Sequence, residues 1–304
     1  MKSRSHLAAT RHFLLTGAFA ALCSASPAAP AGDTPAPASP VSNDLSLAYS
    51  FSPAGDLEHG GKIGEIKISN VRFNYLATTP LGHDRQLLLG AFDSFTDLKL
   101  TGTAALPDKL RQVGLTLGVR QSLAVWFGPD WSATALLRPN FAADSSGLSS
   151  AGFDLPVVLS LGYKQSPALS WDFGVSLNPK GRYTVLPLLA VRWDFAPDWA
   201  ASLGFPLTGV TYKVSRNLTL RGGMQFQGGT YHIEKARAAG LGDTWMEYRE
   251  IRAGVGFEYK LAPHIMCGLD AGMVVNRQFN YFDRDYRLDG GSTSYVSLNL
   301  RARF

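Results

Sequence analysis

From residue 44 onward, apolar and polar side chains alternate with a period of two. In "QVGLTLGVRQSLAVWFG", Val113, Leu115, Leu117 and Val119 alternate with Gly114, Thr116, Gly118 and Arg120. "GFDLPVVLSLGY" places Phe153, Leu155, Val157, Leu159, Leu161 and Tyr163 on one side, and "IRAGVGFEY" does the same with Ile251, Ala253, Val255, Phe257 and Tyr259. Residues two apart in a strand share a face, so each segment reads as a strand with one apolar side. The pattern predicts strands over 44–54, 62–76, 86–100, 112–127, 131–143, 151–165, 169–177, 183–195, 198–205, 208–215, 218–233, 247–261, 265–279 and 292–304. That makes fourteen. Twelve is the alternative, because Pro206 could lie inside one long strand, and the alternation slips near Asn70 as a bulge would make it.

Several of these strands are ten or more residues long, the length a tilted membrane strand needs. The face opposite the apolar one carries Gly, Ser, Thr, Asn and charges, which suits a water-filled or polar-packed interior. Short turns at 128–130, 166–168, 196–198, 215–217 and 262–264 alternate with longer connections at 144–150, 178–182, 234–246 and 280–291. No apolar run reaches eighteen residues, which excludes helical spans. The expected fold is all-β, a transmembrane antiparallel up-and-down barrel, closed because an open edge would leave unpaired backbone groups in hydrocarbon. "SYVSLNLRARF" puts Val296, Leu298, Leu300, Ala302 and Phe304 on one face. It resembles the terminal strand of bacterial outer-membrane proteins, whose final aromatic is read by the barrel-assembly machinery. Phe304 is therefore the expected assembly signal.

The start of the chain reads differently. "MKSRSHLAATRHFLLTGAFAALCSASPAAPA" has a basic start, an apolar run over Phe13–Cys23 and then small residues, the layout of a secretory signal peptide over 1–31. A flexible Pro/Ala-rich lead-in follows over 32–43, and the barrel occupies 44–304. Removing Lys2, Arg4 and Arg11 from the 29 basic residues leaves 26 against 24 acidic ones, so the charge balance gives no reason to expect nucleic acid. Of the two cysteines only Cys267 lies beyond the leader, which excludes a disulfide frame.

The run "VLPLLAVRWDFAPDWAASLGFPLTGVTYKVSRNLTLRGGMQFQGGTYHI", residues 185–233, resembles an uncharacterised outer-membrane barrel family of Gram-negative bacteria, as does "LPDKL" at 106–110. The shared features are an LP strand, a Trp before a P-x-W turn, an FP corner and a glycine-rich strand. The resemblance implies the fold and an outer-membrane location, and it implies no activity.

Candidate chemistry is sparse. His232 beside Glu234 is paired with no particular serine and no GxSxG occurs, so a membrane-embedded lipid-modifying enzyme is disfavoured. In "DRDYRLDGG", Asp283, Asp285 and Asp289 suggest calcium, but Arg287 occupies a position that needs an oxygen ligand. No cofactor and no metal is expected. Because a charge in mid-bilayer must face inward, the expected lumen set is Lys67, Arg72, Lys99, Arg138, Lys164, Arg192, Lys213, Arg221, Arg252, Lys260, Arg301 and Arg303. Against these stand Glu65, Asp97, Asp172, Asp194 and Glu258. Such a wall favours anionic solutes if water fills it; bulky Leu186 and Leu188 could instead pack it shut. The rings of "WFGPDW" and "WDFAPDW" flank short turns, so Phe127, Trp131, Trp171, Trp193, Phe195 and Trp199 are expected as an aromatic girdle at headgroup depth. The expected partners are outer-membrane lipid and lipopolysaccharide, the assembly machinery and small solutes. The sequence points to a porin-like channel, with a non-conducting barrel acting through its loops as the alternative.

Overall fold

The computed structural model describes residues 41–82, 84–144, 150–234 and 240–304. The expected signal peptide, most of the lead-in and His83 lie outside the described residues. Seventeen strands form one sheet, apart from one parallel bridge antiparallel throughout: β1 (Ser42–Glu58), β2 (Lys62–Pro80), β3 (Arg85–Gly102), β4 (Lys109–Ser122), β5 (Trp131–Leu137), β6 (Asn140–Ala143), β7 (Phe153–Asp154), β8 (Val157–Ser166), β9 (Leu169–Leu177), β10 (Val185–Ala196), β11 (Trp199–Gly204), β12 (Leu207–Lys213), β13 (Leu218–Ile233), β14 (Thr244–Ala262), β15 (Ile265–Tyr281), β16 (Tyr286–Gly290) and β17 (Thr293–Arg303). Three pairs, β5–β6, β7–β8 and β16–β17, are single staves interrupted once, giving a closed barrel of fourteen staves. Pro139 and Pro156 sit in two of the interruptions, where a residue without an N–H cannot continue the ladder. β1 pairs with both β2 and β17, which closes the wall. Phe205–Pro206 forms the tip of the β11–β12 hairpin, so Pro206 separates two strands.

The short turns gather at one end of the barrel, here the turn end, and the longer connections at the other, the loop end. Around the middle and turn end the outer face exposes Leu47, Phe73, Leu115, Leu159, Leu189, Val255, Leu298 and many similar residues. An apolar belt of this extent is stable only in an apolar surround, and the barrel crosses the membrane through it.

The staves differ in height. β1, β2, β3, β13, β14 and β15 have 16 to 19 residues, whereas β11 and β12 have only 6 and 7. Above the low staves β13 loses β12 as a neighbour after Gln225 and bridges in parallel to β6 at His232↔Ala143. Between these two partners lies Gly228, with φ 146°; a Cβ there would come within 2.1 Å of the Tyr248 carbonyl oxygen. Only glycine accommodates both demands. The barrel thus narrows at the loop end to a turret walled by β1–β4, β6 and β13–β16.

The turret has the interior of a water-soluble protein. Leu57, Ile66, Ile68, Leu98, Leu110, Ile233, Met246, Phe279, Tyr281 and Leu288 pack inward from its walls, and Ala104, Ala105 and Leu106 of the β3–β4 connection fold in among them. The Tyr281 hydroxyl donates to the Ala105 carbonyl at 2.8 Å. This explains the slip in alternation near Asn70. Strand β2 keeps one register against β3 from Gly64 to Pro80, so no bulge lies there. The solvent on each side changes instead: Val71, Phe73 and Tyr75 face lipid, while Ile66 and Ile68 face the turret core. The nearby irregularity belongs to β1, between Ser52 and Gly55.

Three further expectations are corrected. β4 ends at Ser122, and Ala124–Phe127 form a one-turn helix, α1, that exposes Val125, Trp126 and Phe127 at the turn end. The connection expected over 280–291 is mostly strand, with β15 and β16 paired from Arg277↔Gly290 to Tyr281↔Tyr286. Strands near the loop end also run further than the alternation suggested, because there they border water instead of lipid.

Candidate functional site: the barrel interior

The alternation of exposure along each stave separates inner from outer side chains. Arg72, Arg138, Lys164, Arg192, Lys213, Arg221, Arg252, Lys260, Arg301 and Arg303 fall on the inner face. Lys67 and Lys99 do not. They stand opposite each other across β2 and β3, on the outside of the turret, because the residues flanking them, Ile66, Ile68 and Leu98, fill its core. Glu65 and Asp97 share that outer face; lower on the same face, opposite Phe73, Asp93 is neutralised by Arg111 in an ion pair at 2.8 Å. Outside the bilayer a charged outer wall meets water and costs nothing, so the inward rule stops at the membrane boundary.

The inner cations are partly committed. Arg221 donates from Nε to Asp270 Oδ1 at 2.6 Å and from Nη1 to Glu258 Oε1 at 2.6 Å. Gly256 makes room for this, since a Cβ there would lie 2.1 Å from Asp270 Oδ1. Arg301 and Arg303 both bind Asp44, Arg303 Nε at 3.0 Å. Arg192 pairs with Asp194 at 2.9 Å. Deeper, at the floor of the turret, Glu250 is held between Arg252 and Arg277, accepts from the Tyr248 hydroxyl at 2.6 Å, and Arg277 also donates to Ser52 Oγ at 2.9 Å. In this buried triad one carboxylate serves two guanidiniums, so its hydrogen bonds offset part of the desolvation while one positive charge is left over.

Asp44, Glu250, Asp270 and Arg277 were missed as interior residues. Asp44 and Asp270 share parity with Ser46 and Gly268 and were legible on that ground. Arg277 was hidden by a bulge at Val275, which puts Ile251 opposite Asn276 and Arg252 opposite Val274 and so reverses the parity of β15. An arginine on the apolar parity of a membrane strand is itself the signal of such a bulge.

Lys164, Lys213 and Lys260 ring the turn-end mouth. Their backbone amides bond the turn carbonyls of Asp130, Asp198 and Asn217 at 2.9, 2.8 and 2.8 Å. Among the described residues none of their ammonium groups has an ion-pair partner. Above them a cavity of about 280 Å³ runs along the inner wall past Arg221, Asp270, Asn299 and Arg301 to Arg72 and Asn74. A second cavity of about 50 Å³ shares Arg72 and Asn74 with it and continues past Arg138 to Asn178, Gly228 and Gly229. The opposite inner wall is apolar, with Leu88, Leu136 and Val158 packed beside Leu76, Leu188 and Phe205. Leu188 thus fills one side of the interior.

The rings expected as a girdle stand at the turn end on the outer face. Trp131 stacks on Tyr163 at 4.6 Å and Trp199 on Tyr212 at 4.5 Å between centroids, while Trp193 lies 5.4 Å from Phe195. Phe127 reaches Trp131 at 6.2 Å from helix α1, and Trp171 donates its Nε1 to Gln165 at 2.9 Å. His232 Nε2 lies 3.2 Å from Asp243 Oδ1, with its ring against Trp245. In the loop-end hairpin, Arg287 pairs with Asp289 at 2.7 Å and Asp283 accepts from Thr244, so two of the three aspartates considered for calcium are engaged.

The family model described as a domain of unknown function, DUF6268, matches residues 88–288. The chain belongs to that family. No curated protein matches this DUF6268 barrel. Among solved structures it is similar to the COG4313 outer membrane channel from Pseudomonas putida F1, at 14% identity over 87% of this chain and 95% of that one, with a TM-score of 0.47. It is also similar to the Ralstonia pickettii toluene transporter TbuX, at 9% identity over 86% and 89% with a TM-score of 0.38. The P. putida toluene transporter TodX gives 10% over 86% and 89%, with a TM-score of 0.38. The fourteen-stave architecture of the DUF6268 barrel rests on its own strand pairings.

Proposed function

We propose that this protein is an outer-membrane channel of Gram-negative bacteria for small hydrophilic solutes, with anions favoured. The turn end lies in the periplasm and the turret outside the cell; outer-membrane lipid, including lipopolysaccharide, surrounds the belt, and the barrel-assembly machinery receives the C-terminal strand. The observation that carries this reading is the inner face itself: Lys164, Lys213 and Lys260 stand at its turn end with no ion-pair partner among the described residues, and the 280 Å³ cavity runs along the same wall from Arg301 to Arg72. A wall of one sign raises the local concentration of counter-charged solutes. The turret core closes the axis, so the route runs off-axis. It leads through the two cavities to the shoulder where β10 and β13 rise above the β11–β12 hairpin, near Gly228 and Gly229.

Purified protein in planar bilayers should give discrete conductance steps with anion preference. Silence at all voltages would sink the proposal.

The second reading, a non-conducting barrel that acts through its surface loops, draws support from the same turret core. Removal of the 282–285 hairpin tip would then abolish binding to an extracellular partner in a protein that conducts nothing.

A further inference from the structure

We infer that Arg72 and Arg138 form a binding station for a phosphate-type oxyanion in the smaller cavity. Arg138 lies between Leu137 of β5 and Asn140 of β6, is 9% exposed and spreads its guanidinium 4.3 Å from the centroid of the Phe92 ring. Its Nε lies in the interior with no hydrogen-bond partner. Arg72 enters the same cavity from β2 and makes no ion pair among the described residues. The other arginines inside the barrel, among the described residues, have a carboxylate beside them: Arg252 and Arg277 share Glu250, Arg221 has Asp270, Arg301 and Arg303 share Asp44, and Arg192 has Asp194. A buried charge without a counter-charge is among the costliest arrangements a fold can hold. Arg138 is such a charge, and the half-buried Arg72 adds a second cation to the same cavity; an anion arriving from solution explains both.

The one carboxylate in the lining, Asp154, is turned to other work. It accepts the Leu155 amide at 2.8 Å and the Lys180 amide, and it forms no ion pair with either arginine. The remaining lining supplies neutral polar groups, among them Asn74, Ser94, Gln112 and Ser176, which can complete the coordination of an oxyanion. The volume of about 50 Å³ holds a few waters or one group of phosphate size. Asn178 Oδ1, in the same lining, is a buried acceptor with no donor. Hydrogen phosphate carries a hydroxyl that could donate to it, and a carboxylate does not.

The site stands on its own as a binding site; as the solute station of a channel it rests on the reading above. The test is titration calorimetry of the full barrel in detergent or nanodiscs against inorganic phosphate, glycerol phosphate and acetate at constant ionic strength. Saturable binding of one phosphate per chain is expected, at least tenfold tighter than acetate, with a rise in melting temperature as phosphate is added. Comparable binding of glycerol phosphate would assign the site to phosphate esters, and weaker binding to free phosphate. In the Arg72→Gln/Arg138→Gln variant affinity should fall at least tenfold and the thermal shift should vanish. Arg138→Lys, which keeps the charge and loses the planar fork, should fall between. Absence of saturable phosphate binding in the unaltered protein, or equal binding by the double Gln variant, overturns the inference. Conductance separates it from the channel proposal: saturable phosphate without current leaves the station and removes the channel, and anion current without saturable phosphate does the reverse.

Discussion

Ile68 and Val71 lie three residues apart on one strand, both apolar, on opposite faces of the barrel wall. Ile68 is 1% exposed within the turret core, and Val71 is 42% exposed on the outer surface. The membrane boundary runs between them.

This relationship predicts unequal costs for equal truncations. Ile68→Ala leaves a cavity in a packed protein core and should cost about 2–5 kcal/mol. Val71→Ala leaves a dent that lipid chains can fill, and should cost less than about 1 kcal/mol, since lipid tails and side chains are equally apolar. Urea unfolding in lipid vesicles measures both; equal losses would place the boundary elsewhere.

Glu250 serves two arginines at once. Glu250→Gln leaves Arg252 and Arg277 buried without a counter-charge and should cost about 3–5 kcal/mol. Adding Arg277→Met to that variant should recover part of the loss, because one orphaned charge is removed. A melting series on the single and double variants decides this, and no recovery would mean that Ser52 and Tyr248 hold the site more than the charges do.

Selectivity should answer to the mouth before the deep arginines. Lys164→Glu, Lys213→Glu and Lys260→Glu together should turn the anion preference toward cations, with an effect that fades as salt rises. Arg252→Glu is a poorer probe, because it places a carboxylate against Glu250 inside the wall. Reversal potentials across a salt gradient report the change; an unaltered potential argues against the mouth as the filter.

The off-axis route has its own test. A charged thiol reagent attached at Asn178→Cys should cut conductance by more than half. Cys267 shares its outward parity with Leu269 and Leu300, so the unaltered protein should not respond. Unimpeded current after full labelling would place the exit elsewhere.

Phe304 closes the wall. Its amide donates to the Asn43 carbonyl at 3.0 Å and its carbonyl accepts from the Asn43 amide at 3.0 Å, while its ring stays exposed. Phe304→Asp leaves those backbone bonds possible and removes the ring, so the amount of folded barrel in the outer membrane should drop several-fold while refolding in detergent stays normal. Equal loss in both would make the ring a matter of stability and not of recognition.

Much of this architecture was legible in the sequence. The inner and outer faces of β17 follow from "SYVSLNLRARF" alone, and the stave number follows from turns that recur with Pro or Asn beside aromatic rings. What period two does not encode is the medium on either side of the wall. Lys67 and Lys99 read as inward-facing only where membrane borders the whole strand, and Ile66 and Ile68 mimic a slipped register for the same reason. Arg277 required knowledge of a bulge, and the pairing of Arg72 with Arg138 required β2 and the β5–β6 break, 66 positions apart, to share a cavity. Long-range proximity of that kind leaves no trace in local alternation.

The low β11–β12 hairpin has a consequence for how the barrel could ever open. Its turret is filled by side chains of its own wall together with the β3–β4 connection folded in among them, so clearing the axis would expose that oily filling to water. On the proposed off-axis route, a vessel whose lid is continuous with its sides would exchange its contents through the floor and through a window, and natural variation in solute should accordingly be sought around that window and not in the loops above it.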